Sequence, residues 1–230
     1  MLLHKLCRGY GAYRDMHKIL LAIVFVLFGS MARSETVTIV AFGDSLTQGF
    51  GLVPDEGLVP TLERWLVTHG EDVSLINGGV SGDTTRGGVA RIDWTLDSGV
   101  DAVIIALGSN DILRGIDPAT SKQNLRDILS VATGRGVEVL LIGQKAPLNY
   151  GYEYKQRFDS MYVELAEMYD VLFLEDFFSG FGSGRNDPAR LAPLLQADGL
   201  HPNAAGVAKI VDGIGPSVLE LIERVRERQR

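Results

Sequence analysis

Apolar residues cluster in five short runs, at 37–42, 73–76, 102–107, 137–142 and 171–174. They are rich in Val, Ile and Leu, as parallel strands covered on both faces require. Between them, 57–69, 84–96, 118–134 and 153–169 are amphipathic and long enough for helices. A closing helix is expected from 203 to about 228, opening on a Pro-Asn start signal. Strand and helix alternating in this way predict an α/β fold, one parallel sheet with helices on both faces and right-handed crossovers. No linker, repeat or low-complexity stretch follows residue 34, so 35–230 is expected to form a single domain.

One apolar run stands outside this alternation. Residues 19–28 are continuously apolar but too short to span a bilayer, whose core takes about 20 residues of helix. Lys5, Arg8, Arg14 and Lys18 precede it, and Ser30-Met-Ala32 follows with small residues suited to cleavage. Residues 1–34 therefore read as a secretory signal peptide, and Met16 is the start that gives it ordinary proportions. The alternative is an uncleaved anchor. Export implies a periplasmic or secreted protein with no stable membrane insertion after processing. The only cysteine, Cys7, lies in the leader, so the remainder has neither a disulfide nor a thiol nucleophile. That remainder carries 17 Lys and Arg against 28 Asp and Glu. A net charge of −11 argues against a nucleic-acid or anionic-membrane partner. Only His69 and His201 remain of four histidines.

Parallel sheets of this kind bind ligands at the carboxyl ends of their strands, where strand order reverses. Four polar, glycine-rich segments are delivered to that edge: Gly43-Asp44-Ser45, the Asn77 to Thr84 stretch, Gly108-Ser109-Asn110-Asp111, and Asp198 to Asn203. A fifth, Gln144 to Tyr150, is less diagnostic. Each alone reads as a turn or a helix cap. Together they hold the parts of an acyl-transfer site. Ser45 is a nucleophile if a base takes its proton, and His201 is the candidate base. Asp198, three residues earlier, can reach the other ring nitrogen across a short turn. The Ser45 N–H, the Gly82 N–H and the Asn110 side-chain amide are candidate oxyanion donors. Asp44 is assigned to holding the turn. His69, at the end of a helical stretch, is expected to cap it.

Gly-Asp-Ser-Leu at 43–46, Gly82 in Ser-Gly-Asp-Thr, Gly-Ser-Asn-Asp at 108–111 and Asp-Gly-Leu-His-Pro-Asn at 198–203 resemble the four blocks of the SGNH (GDSL-type) hydrolases, in the same order. Residues 81–91 and Leu-Asn-Tyr-Gly-Tyr at 148–152 resemble one branch in particular, the bacterial periplasmic arylesterase, acyl-CoA thioesterase and lysophospholipase enzymes. The resemblance covers nearly all of 37–221. It implies a three-layer α/β/α, flavodoxin-like fold with a five-stranded parallel sheet. It also implies Ser45, Asp198 and His201 as the catalytic triad, with Ser45, Gly82 and Asn110 as the oxyanion hole. Neither a metal nor another cofactor is implied, and the partner is a small-molecule acyl ester or thioester. One stretch departs from the pattern: 179–188 is glycine-rich where a more apolar substrate-side segment is expected.

Three other readings use the same residues. A carbohydrate O-deacetylase would share the whole constellation. A two-metal phosphoesterase would use the acids of the first and third segments, but such sites need several imidazoles and only His201 is placed on this edge. A secreted binding protein would use the same edge to hold a phosphate or sugar, the phosphate version wanting a Gly-x-Gly-x-x-Gly after the first strand that is not present.

Overall fold

Five strands, β1 (Val37–Gly43), β2 (Val73–Gly79), β3 (Ala102–Ala106), β4 (Glu138–Ile142) and β5 (Leu172–Leu174), pair in parallel in the order β2-β1-β3-β4-β5. The computed structural model describes residues 35–97 and 99–230, with backbone only at 183–186. The expected leader, 1–34, lies outside the described residues, and Thr36–Arg230 form one compact unit.

Alternate positions along each strand feed opposite cores. On one face Ile39, Ile104 and Leu140 meet two helices, α2 (Leu58–Thr68) and α8 (Ala204–Arg228). On the other, Val40, Val103, Ile105 and Leu141 meet three helices, α3 (Thr85–Thr95), α5 (Pro118–Gly134) and α6 (Tyr152–Tyr169). The three central strands are therefore apolar at nearly every position. Edge strand β2 is buried at Val73 and exposed at Ser74. The result is the three-layer α/β/α arrangement with a flavodoxin-like strand order. Three short helices complete it, α1 (Ser45–Gln48), α4 (Ser109–Leu113) and α7 (Pro188–Leu191).

The boundaries differ from the sequence reading in one informative place. β2 runs on through Asn77-Gly78-Gly79, which the sequence marks as a turn, and keeps register with β1 up to Gly79 opposite Gly43. Both glycines are required by what crosses them. A Cβ on Gly79 would lie 2.3 Å from the Gln48 nitrogen, and one on Gly43 would lie 2.0 Å from Thr47 Oγ1. Helix α1 thus folds back directly onto the ends of β1 and β2.

The glycine-rich stretch after β5 has a similar cause. A Cβ on Gly180 would sit 1.6 Å from the Lys209 carbonyl oxygen, and Gly213 of α8 abuts the Gly180 nitrogen. Bare backbone here packs on bare backbone. The neighbouring Phe178 reaches the catalytic cavity.

The chain leaves β1 toward β2, then returns across it to β3. That reversal opens a crevice at the carboxyl ends of β1 and β3.

Candidate active site

Ser45 opens α1 immediately past β1. The helix starts here because Asp44 caps it: its Oδ1 accepts the Leu46 N–H at 3.0 Å. It stops four residues later at Gly49, whose φ of 87° lies in the left-handed region. As the first helical residue, Ser45 has no intrahelical acceptor for its own N–H, which is left for a ligand.

His201 arrives from far along the chain, in a loop closed by an antiparallel bridge between Leu195 and Pro202. Its Nε2 lies 3.0 Å from Ser45 Oγ, and its Nδ1 lies 2.7 Å from Asp198 Oδ2. Asp198 Oδ1 accepts the Leu200 and His201 N–H groups at 2.9 and 3.0 Å. The hydrogen bond from the His201 ring, then these N–H groups, draw the Asp198 carboxyl from its ordinary 3.8 down to about 2. A carboxylate ionised at every working pH fixes the proton on Nδ1 and leaves Nε2 free to accept the serine O–H.

Three further contacts steady this loop. Gln196 Nε2 donates to the carbonyls of Phe50 and Pro202 at 2.7 and 2.9 Å, tying the histidine loop to the nucleophile segment. The Phe50 ring packs on the His201 ring, centroids 4.7 Å apart. Asn203 caps α8 through Gly206 N–H while its own amide donates to Pro193 and Leu195. By contrast His69 caps α2 and stacks on Trp65, well away from the cavity, as a capping role requires.

Gly82 and Asn110 line the same cavity as Ser45 and His201. Gly82 has a φ of 79°, and a Cβ there would meet only Arg114 Nη2, at 3.8 Å, among the described residues. Backbone conformation, not crowding, is what reserves the position for glycine. Asn110 sits on α4, and its Nδ2 donates to Asp44 Oδ2 at 3.3 Å. Asp44 therefore both caps the nucleophile helix and orients the amide.

Two buried charged residues hold this frame. Arg91, on α3, donates to the carbonyls of Gly43 and Gly78 at 2.8 and 2.7 Å, pairs with Asp83 at 2.6 Å and lies over the Phe42 ring. It clamps the ends of β1 and β2 beneath the serine. Asp111 accepts from the Thr85 N–H and hydroxyl and from the Ser121 hydroxyl, fixing α4 between α3 and α5.

Asp44 is 1 % exposed, and burial pushes its carboxyl up from 3.8 to about 6. The Leu46 N–H and the Asn110 amide pull the other way and lose. Because the folded value exceeds the unfolded one, the native state binds more protons between about pH 4 and 6. Wild-type stability then falls as pH rises through that window, by about 3 kcal/mol in all. Asp44→Asn has no such loss. The melting temperature of this variant relative to wild type should therefore climb between pH 4 and 7. Turnover should fall about ten- to a hundredfold, because two amide NH₂ groups would face each other and misplace Asn110. Thermal scans and kcat across that pH range check both.

The cavity these residues share is about 330 Å³, with Leu46, Phe50, Ile112, Leu113, Pro147 and Phe178 among its apolar walls. Among the described residues no three His, Cys, Asp or Glu side chains gather as a metal-ligating group. No described helix is long and apolar enough to cross a membrane.

The strand order is flavodoxin-like, and the solved structures it resembles include SGNH hydrolases. A family model described as GDSL-like Lipase/Acylhydrolase matches residues 41–209. "Esterase TesA" of Pseudomonas aeruginosa is 33% identical over 201 residues, 87% of this chain and 96% of that protein. "Thioesterase 1/protease 1/lysophospholipase L1" of Escherichia coli K12 is 31% identical over 205 residues, 88% and 93% of the two chains. The crystal structure of AlinE4, described as an SGNH-hydrolase family esterase, superposes with a TM-score of 0.66 at 40% identity, covering 82% of this chain and 98% of that one. The chain belongs to the GDSL-like lipase/acylhydrolase family and is an ester hydrolase.

Proposed function

We propose that this enzyme is an exported serine hydrolase that cleaves aryl esters, acyl thioesters and lysophospholipids through a Ser45-His201-Asp198 triad. The observation that carries the reading is the unbroken hydrogen-bonded row from Asp198 Oδ2 through the His201 ring to Ser45 Oγ. Ser45 Oγ attacks the acyl carbon as His201 Nε2 takes its proton. The carbonyl oxygen, now anionic, is held by the Ser45 and Gly82 N–H groups and Asn110 Nδ2. His201 returns the proton to the leaving oxygen or sulfur, whose bond to carbon breaks, and the acyl group stays on Ser45. Water then attacks by the same route in reverse, giving the carboxylic acid and free enzyme.

The apolar walls favour an acyl chain over the bare acetyl group of an O-acetylated sugar, which would leave Ile112, Leu113 and Pro147 uncovered. The related esterase and thioesterase/lysophospholipase support the substrate classes. Export rests on the leader alone. The test uses protein recovered from the periplasm or medium, its N-terminus set by intact mass. Assayed on p-nitrophenyl esters, acyl-CoA and lysophosphatidylcholine, it should hydrolyse members of all three classes, lose that activity to a fluorophosphonate and keep it with chelator. Retention of residues 1–34 on a cytoplasmic species would overturn export. Failure on every class, or loss of activity to a chelator, would overturn the chemistry.

A further inference from the structure

Gln144 follows β4 on the same carboxyl edge as Ser45 and Asn110, and it lines the catalytic cavity. It is 4 % exposed, and its Nε2 is buried with no hydrogen-bond partner among the described residues. The residues on either side of it in sequence are engaged elsewhere. The Gly143 N–H and carbonyl bond Leu174 and Phe177. Lys145 is drawn aside to Glu175 at 2.7 Å, and the Ala146 N–H and carbonyl are taken by Asp159 and Lys155. Ile112, Leu113, Pro147 and Phe178 line the same cavity with side chains that offer no acceptor, and its polar lining includes Ser45, Ser109, Asn110 and His201. A primary amide held open in an apolar wall is costly unless a ligand completes it.

The sheet order says which part of a substrate comes near. β4 lies two strands from β1, about 10 Å at ordinary strand spacing, with Asn110 between them off β3. His201 stands at the other end, against Phe50. The leaving group must lie where His201 Nε2 can protonate it, so the acyl chain takes the end toward Gln144.

We propose that Gln144 is a specificity-determining residue whose side-chain amide donates a hydrogen bond to an oxygen carried on the acyl chain, a few carbons from the scissile carbonyl. This rests on the esterase reading above. The preferred substrates are then oxygen-bearing acyl esters, with an ether, keto or hydroxyl group in the chain, over plain alkanoyl esters of the same length. A site with a buried donor discriminates against a ligand that lacks the acceptor, because binding it removes water and leaves the donor unpaired.

The test compares p-nitrophenyl octanoate with analogues in which one methylene, at chain positions 3 to 6, is replaced by an ether oxygen. Wild type is measured beside Gln144→Leu and Gln144→Met, so that intrinsic ester reactivity cancels in the ratio of the two kcat/KM ratios. At one chain position wild type should favour the ether over the alkyl ester by roughly tenfold more than either variant does, with the variants gaining on plain octanoate. Equal ratios in wild type and a folded variant at every position would overturn the proposal, while hydrolysis of both esters would leave the esterase reading standing. A parallel pair, octanoyl pantetheine and octanoyl ethanethiol, separates the acyl chain from the leaving group. Discrimination that appears only in this pair would put the acceptor in the leaving group and overturn the assignment. Wild type inert toward all these substrates would overturn both readings.

Discussion

Ser45→Ala should take no label from a fluorophosphonate and turn over esters at least about 10⁴-fold more slowly than wild type, with a nearly unchanged melting temperature. The asymmetry follows from the geometry. The substitution deletes one half-buried oxygen, whose side-chain partner among the described residues is His201 Nε2. It leaves the Asp44 cap and the Ser45 N–H in place, so the helix, the pocket and one oxyanion donor persist. KM should accordingly move little. His201→Ala should cost a comparable factor, and the double variant should be scarcely slower than either single one. Nucleophile and base act as a unit, so the second loss removes nothing further. Single-turnover rates and labelling by intact mass measure this. Normal turnover by uncontaminated Ser45→Ala would end the proposed mechanism.

Asn110→Ala should lose a hundredfold to a thousandfold in kcat with little change in KM, because the amide meets full negative charge only in the transition state. The contact to Asp44 sharpens a second variant. Asn110→Asp would put another carboxylate within reach of one that is already buried and pushed up to about 6. The pair should share a proton, and the variant should be at least as slow as Asn110→Ala. A residue that merely shaped the turn would do the reverse, lowering the melting temperature while turnover per folded molecule held. Thermal midpoint and kcat on the same two proteins separate the outcomes.

The central strands were legible because burial on both faces leaves no polar alternation to confuse, and the helices because their caps, Asn203 and the Asp117-Pro118 pair, are side-chain signals. The candidate site was legible for a related reason. The roles proposed for Ser45, Asn110, Asp198 and His201 rest on side chains whose chemistry their names announce. What stayed hidden acts on backbone. Arg91 and Gln196 work by donating to carbonyls, and a carbonyl has no residue identity to recognise. Gly43, Gly79 and Gly180 looked like turn residues, but each records another segment's backbone passing within contact distance. The second task of Asp44 was hidden too, since a capping role already accounted for it. Gln144 was placed on the edge by its segment, but its role was not legible, because an amide without a partner belongs to no motif.

The bond that completes the site, from Ser45 to His201, joins residues 156 positions apart. The proposed nucleophile, its helix and all three proposed oxyanion donors belong to the first half of the chain, while the proposed base sits on the loop that leads into the final helix. Catalytic competence is therefore expected only once the C-terminal part of the chain has folded onto the rest. A chain ending before 198 would lack both the proposed base and α8, which covers one face of the sheet, so ester turnover is expected to report the finished molecule and no fragment short of it.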